Sequence, residues 1–327
     1  MLSFTNFSHN FARAVVLPAD PGPLKGCWMI QRERIAENVY SFQSEVYAQV
    51  TAGAIIGPNW AVVIDTLALP EESLEIRDFI EQELNVPVRY VINTHSHADH
   101  AWGNCFFPGS MVIGHSLCRD YLEQARPSLE EVRHQNLSYR NVRIVLPHVT
   151  FREGYLNLRV GKKTLTLMSM PGHSPDNIAV LVEEDRVLFA GDAAMPLPYI
   201  VNGDVDDLNA SLKKIGKMGL ENVIQGHGDI VLRGEIDNFV KDNLAYISNL
   251  RKAVRKASRR KYPQDILDET TIESCGKSRV LIGGLAAELH RRNLRALYRQ
   301  LYGEIPVPSE DEDDEYYDEE EYDDEDD

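Results

Sequence analysis

Residues 95–100 read His-Ser-His-Ala-Asp-His, so that His95, His97, Asp99 and His100 supply four metal-binding side chains within six positions. Three more candidates sit in similar settings: His173 in Pro-Gly-His-Ser, Asp192 in Ala-Gly-Asp-Ala, and His227 in Gly-His-Gly. Imidazole suits zinc, iron and copper, and a carboxylate can bridge two ions. Each candidate follows a β-rich run that closes on a small or turn-forming residue: Val-Ile-Asn-Thr before His95, Met-Pro-Gly before His173, Phe-Ala-Gly before Asp192 and Ile-Gln-Gly before His227. Glycine lets the backbone turn sharply and come close to an ion. A single histidine at a strand end is more often a capped or core residue than a ligand. Four such places, one of them a four-donor cluster, imply a transition-metal site and metal-dependent chemistry, with hydrolysis the leading expectation.

The elements that must position these residues follow from periodicity. Ile35–Phe42 and Val46–Ile56 read as strands, and a turn at Gly57-Pro-Asn59 returns the chain through Trp60–Ile64. After Pro70, the spacing of Ile76, Phe79, Ile80 and Leu84 predicts a helix over 71–84. Val88–Ile92 is a buried strand, Met111–Ile113 a short one, and Leu117–Gln124 a short helix. Val142–Val149, Tyr155–Val160 and Thr164–Met170 read as strands, and Ile178–Glu183 with Arg186–Ala190 as a hairpin. Helical spacing returns over 207–218 and from Glu235 to Val254, with a short strand at Asn222–Gln225 between them. Residues 261–308 are expected to be largely helical, with Leu294, Leu297, Tyr298, Leu301 and Tyr302 on one face. Residues 125–141 and 193–206 carry no periodicity and read as loops.

Length and composition set outer bounds. A chain of 327 residues with 43% hydrophobic content is long enough for a sizeable core. No apolar run reaches membrane-spanning length and no secretory leader is evident, so cytoplasmic residence is the default. Cys27, Cys105, Cys118 and Cys275 lie far apart without Cys-x-x-Cys spacing, which argues against a disulfide framework and a thiolate zinc site. The formal charge is −17, but residues 310–327 hold fifteen acids and no base, leaving −2 on the remainder. That tail reads as a solvated end that cannot bury enough apolar surface to fold alone. Arg251 to Lys261 carries seven bases among eleven residues, read first as a solvated helix flank and second as a nucleic-acid or phosphate surface.

With those residues in place, the chain resembles the metallo-β-lactamase superfamily. His95, His97, Asp99 and His100 match its His-x-His-x-Asp-His motif, and His173, Asp192 and His227 match its later ligands in order. The resemblance covers about residues 35–258. It implies an α/β fold, a four-layer αββα sandwich, with two metal ions at one edge between the sheets. It further implies that His95, His97 and His173 hold one ion, that Asp99, His100 and His227 hold the other, and that Asp192 bridges. The expected organisation is an extension over 1–34, the catalytic domain over 35–258, a helical segment over 259–308 and the acidic tail over 309–327. Classical lactamases of the superfamily place Cys or Ser where Asp192 stands, and flavodiiron proteins place Glu where His97 stands. The present set is similar to the glyoxalase II, lactonase, phosphodiesterase and RNase Z side.

The implied activity is attack on a small ester-like substrate (thioester, lactone or phosphodiester) by hydroxide shared between two divalent ions, zinc first, with manganese or iron left open. Asp99 and Asp192 are the expected catalytic carboxylates. Asp65, Thr94 and Ser174 are expected as residues that orient ligands, and Tyr199 as a loop residue reaching substrate. The alternatives are a nuclease or phosphodiesterase acting on nucleic acid and an iron-dependent oxygenase of the same fold. A small-molecule substrate and no membrane partner are expected. Whether the C-terminal segment covers the site or pairs subunits stays open.

Overall fold

Short runs of Val, Ile, Leu and Ala divide the chain into two sheets whose inner faces are both apolar. The computed structural model describes residues 30–306, so Cys27, the acidic tail and most of the 1–34 extension lie outside the described residues. The first sheet follows chain order: β1 (Ile30–Ala36), β2 (Val39–Ser44), β3 (Thr51–Ile56), β4 (Ala61–Ile64), β5 (Val88–Ile92), β6 (Met111–His115) and β7 (Val149–Phe151). Its first four strands pair antiparallel and β4 to β7 pair parallel. The second sheet runs from β8 (Tyr155–Val160) and β9 (Lys163–Ser169) through β10 (Ile178–Val182) and β11 (Val187–Phe189) to β12 (Asn222–Ile224) and β13 (Val231–Leu232).

Ile55, Val62, Ile64 and Ile92 of the first sheet meet Leu165, Leu167, Val180 and Phe189 of the second in one buried cluster, so the sheets pack face to face. The outer face of the first sheet is covered by α1 (Pro70–Asp78), α3 (Ser116–Gln124) and α4 (Arg126–Gln135). The outer face of the second is covered by α5 (Val205–Lys217) and α6 (Ile236–Ser258), through Ile215, Ile236 and Val240. The order is helix, sheet, sheet, helix, the expected four-layer αββα sandwich. Beyond it, α7 (Pro263–Glu269) and α8 (Ala286–Tyr302) pack on α6 around Leu250, Val254, Leu294 and Leu297.

The chain departs from its periodicity at several places, each for a local reason. Ile35–Phe42 is not one strand: the chain reverses at Glu37-Asn38, with Asn38 at φ 61°, a left-handed conformation that Asn tolerates. Val46–Ile56 becomes a strand only from Thr51, because the Ser44 hydroxyl accepts from the Val46 and Tyr47 amides and winds 44–50 into a turn. Val142 and Ile144 are buried and alternate with exposed Arg143 as a strand would, yet they join no ladder, and only Val149–Phe151 pairs with β6. Residues 125–141, expected as loop, hold α4, which opens with Pro127 and buries Leu129 and Val132 one turn apart. The expected helix over 71–84 is α1 as far as Asp78, continued by a π-helical turn over Phe79–Glu83.

Candidate metal centre

Seven donors reach one edge of the sandwich because strands from both sheets stop there. The short helix α2 (Ala98–Ala101) follows the β5 loop, carries Asp99 and His100, and leaves His95 and His97 just before it. His173 follows β9, Asp192 sits in a 3-10 turn directly after β11, and His227 follows β12. Gly226 admits this crowding: a Cβ there would lie 1.8 Å from Asp192 Oδ1. Gly191 adopts φ 54°, which turns β11 sharply enough to aim Asp192 inward. The turn before β3 is tied to the same edge, with Thr51 N donating to Gly226 O at 2.9 Å and Gly228 N to Gln49 O at 2.9 Å.

The donors form two groups, His95, His97, His173 and Asp192 in one and Asp99, His100 and His227 in the other, with the donor atoms of each group within 4.8 Å of one another. Asp192 touches both. Its Oδ2 lies 3.2 Å from His173 Nε2 and 3.6 Å from His227 Nε2, and its Oδ1 lies 3.4 Å from His100 Nε2. Asp99 Oδ2 lies 3.5 Å from His227 Nε2. His95 Nε2, His100 Nε2 and Asp192 Oδ1 are buried without a hydrogen-bond partner, a cost that a cation among them would remove. The residues present therefore fit divalent ions, by donor type and by these orphaned atoms.

Electrostatics agree with that fit. Burial holds His95, His97 and His173 below the ordinary imidazole value, helped by neighbouring imidazoles, so that neutral lone pairs are available. Burial would lower His100 and His227 too, but the carboxylates around them, Asp192 foremost, raise both. Burial would raise Asp192, yet the surrounding imidazoles of His227, His173, His100 and His95 hold it well below the usual carboxylate range. A cation placed here takes over the role of those imidazolium protons.

Outer contacts aim the ring nitrogens. His100 Nδ1 faces Asp65 Oδ2 at 2.9 Å, His173 Nδ1 faces Tyr199 O at 2.8 Å, and His227 Nδ1 faces Ala48 O at 2.9 Å, leaving Nε2 of each toward the centre. Asp65 also accepts from the Thr94 amide and hydroxyl, both at 2.7 Å, and that hydroxyl lies 3.1 Å from His95 Nδ1. Ser174 is buried beside His173 but does not line the cavity above the donors. His115 and His148 each accept from a backbone amide, of Leu117 and Val112 respectively, and stand outside the cavity wall.

That cavity has a volume of about 110 Å³ and exposes His97, Asp99, His173, Asp192 and His227. Tyr199 lines it, as do Tyr47 and Asn202, whose side-chain amide lies 3.3 Å from His97 Nε2. Leu285, Glu288, Leu289 and Arg292 complete the wall from α8 and the turn before it, so the C-terminal segment covers the site. The spacing of those four residues, one helical face, was the available sequence signal. Among the described residues, none of 251–261 lines the cavity.

Residues 47–256 match the family model of the metallo-beta-lactamase superfamily. A Beta-lactamase-like protein 2 homolog of Caenorhabditis elegans is 24% identical over 53% of this chain and 51% of its own length. A thioesterase of Emericella nidulans is 26% identical over 52% of this chain and 43% of its own. The chain thus spans about half the length of these curated relatives. Among solved structures, a metallo-beta-lactamase family protein of Thermus thermophilus superposes with TM-score 0.59 at 18% identity, over 82% of this chain and 95% of the other. With the motif, the two-sheet sandwich and a family model spanning most of the chain in agreement, this protein belongs to the metallo-β-lactamase superfamily.

Proposed function

We propose that the protein is a binuclear hydrolase of small ester-like compounds, thioesters first among them, loaded with two zinc ions. The observation that carries this reading is the sharing of Asp192 between two donor groups at the floor of a small covered cavity. A relative named as a thioesterase supports the substrate class. His95, His97 and His173 would hold one ion, Asp99, His100 and His227 the other, and Asp192 both. When bound, the ions would lower the pKa of water toward about 7 and polarise the carbonyl under attack.

The chain's own groups do the rest. Asp192, kept ionised by its imidazole neighbours, balances the charge of the centre. Asp99 lies on the cavity wall, where its carboxylate would orient the attacking water and take up its proton. Tyr47, Tyr199 and α8 restrict bulk water around the reacting ester. A cavity of this size under a helical cover suits a small molecule, and the basic run on α6 stands apart from it, which disfavours nucleic acid.

The test is an assay of metal-quantified protein against thioester, lactone, phosphodiester and β-lactam substrates, with His97→Ala as control. Turnover of thioester, reduced about a hundredfold or more together with metal content in the variant, is the expected result. Full activity of His97→Ala, or no ester turnover with two ions bound, would overturn the proposal. Oxygen uptake by iron-loaded protein would assign the oxygenase chemistry instead.

A further inference from the structure

The part of the cavity wall supplied by the C-terminal segment is apolar in a way the fold does not require. Ile282 is buried in the wall, and Leu285 and Leu289 follow it on the cavity face of α8 and its preceding turn. Leu285 is 38% exposed, so its apolar surface is not consumed by the core. The charges on the same face are matched among themselves: Glu288 pairs with Arg291 and with Arg292, the latter at 2.9 Å, and Arg292 also hydrogen-bonds the Tyr199 hydroxyl. Leu285 and Leu289 themselves offer no hydrogen-bonding group to a sugar or phosphate set against them, which would lose hydration there. An alkyl group would gain by burial.

We propose that the substrate is an acyl ester or thioester whose saturated acyl chain lies along Ile282, Leu285 and Leu289, so that α8 selects substrates by chain length. This rests on the hydrolase reading above and names the group attached to the attacked carbonyl. The acyl–heteroatom bond breaks, water supplies the hydroxyl of the carboxylic acid product, and the leaving thiol or alcohol departs with a proton.

The test is a series of N-acetylcysteamine thioesters from acetyl to octanoyl, given to the zinc-loaded full chain. Burial of each methylene at about 0.8 kcal/mol predicts a rise of about fourfold in kcat/KM per added CH2 until the wall is filled. Leu285→Ala/Leu289→Ala, the first exposed and the second only partly buried, flattens that rise and lowers octanoyl kcat/KM by at least about tenfold. A flat series in the wild type, with acetyl thioester still hydrolysed, overturns the acyl wall and leaves the hydrolase reading intact. Should no ester turn over, the hydrolase reading fails by itself, and calorimetric binding of butanoate, hexanoate and octanoate decides the wall: affinity rising with length supports it, and equal affinity overturns it.

Discussion

Asp192 and Glu72 are both enclosed carboxylates, and their surroundings send them opposite ways. Four imidazoles around Asp192 outweigh its burial and keep it ionised. Glu72, at the start of α1, gives one oxygen to the Leu69 amide at 3.0 Å and leaves the other unpartnered, and burial pushes its pKa up to about 7. The unfolded chain loses that proton near 4.5, so the contribution of protonated Glu72 is fully present below about 4.5 and is lost as pH rises through about 7. The loss reaches about 3 kcal/mol on the alkaline side. Glu72→Gln keeps the acceptor for Leu69 and removes the titration. Urea unfolding at a series of pH values should show the variant gaining on the wild type between about pH 5 and pH 8, by about that amount. A difference between the two that does not change with pH would refute the assignment, since the Gln amide adds only a constant offset.

Between Asp192 and α5 the chain runs for a dozen residues without long helix or strand, and elements far away in sequence hold it. Asn293 of α8 accepts from Ile200 N at 3.0 Å and donates to Pro198 O at 2.7 Å, gripping the backbone on both sides of Tyr199. Asn243 of α6 donates to Met195 O at 3.1 Å, and its own oxygen accepts from Lys277 Nζ at 2.7 Å. Because His173 Nδ1 meets Tyr199 O, Asn293 would act as a positioning residue for His173 in the proposed centre. Asn293→Ala strands two backbone groups at about 1–3 kcal/mol each, and it should weaken retention of the ion on the His173 side by about tenfold or more. Cobalt titration against a competing chelator, alongside thermal melts, separates the two effects: a lower Tm with unaltered cobalt affinity would show that the loop needs no such support. The convergence of the candidate donors was legible in the sequence because strand, glycine and a metal-binding side chain recur together at His173, Asp192 and His227. The clamp was not, because a buried Asn in a helix has the same pattern as one on a polar face until its partner is known. Periodicity likewise revealed the Leu294–Leu297 stripe but not that Leu285 and Leu289 face a cavity, since an amphipathic pattern says that a face is covered and not by what.

Across the whole molecule, the centre is where the two sheets meet at one end. His95, His97, Asp99 and His100 come from the β5 connection of the first sheet, and His173, Asp192 and His227 from strand ends of the second. Direct backbone links that cross there include the bridge of Val50 with His227 and the Ile178 N to Thr94 O bond at 2.8 Å. Ions held by both sides would therefore fasten the sandwich at this end, while the apolar inter-sheet cluster holds its middle. A ligand that binds only the folded state adds about 4 kcal/mol when free at about a thousand times its Kd. For a chain of this size that is a Tm shift of roughly 6 °C per ion, so EDTA, by removing both, should lower the calorimetric midpoint by about 12 °C and zinc should restore it. Hydrogen exchange locates the effect: amides of 44–50, 93–104, 171–177 and 225–228 should lose protection on chelation, while the β2–β3 and β9–β10 ladders keep theirs. A midpoint indifferent to EDTA, with zinc stoichiometry falling to zero, would mean that the sandwich is held by its core alone and that the seven donors are no fastening between the sheets.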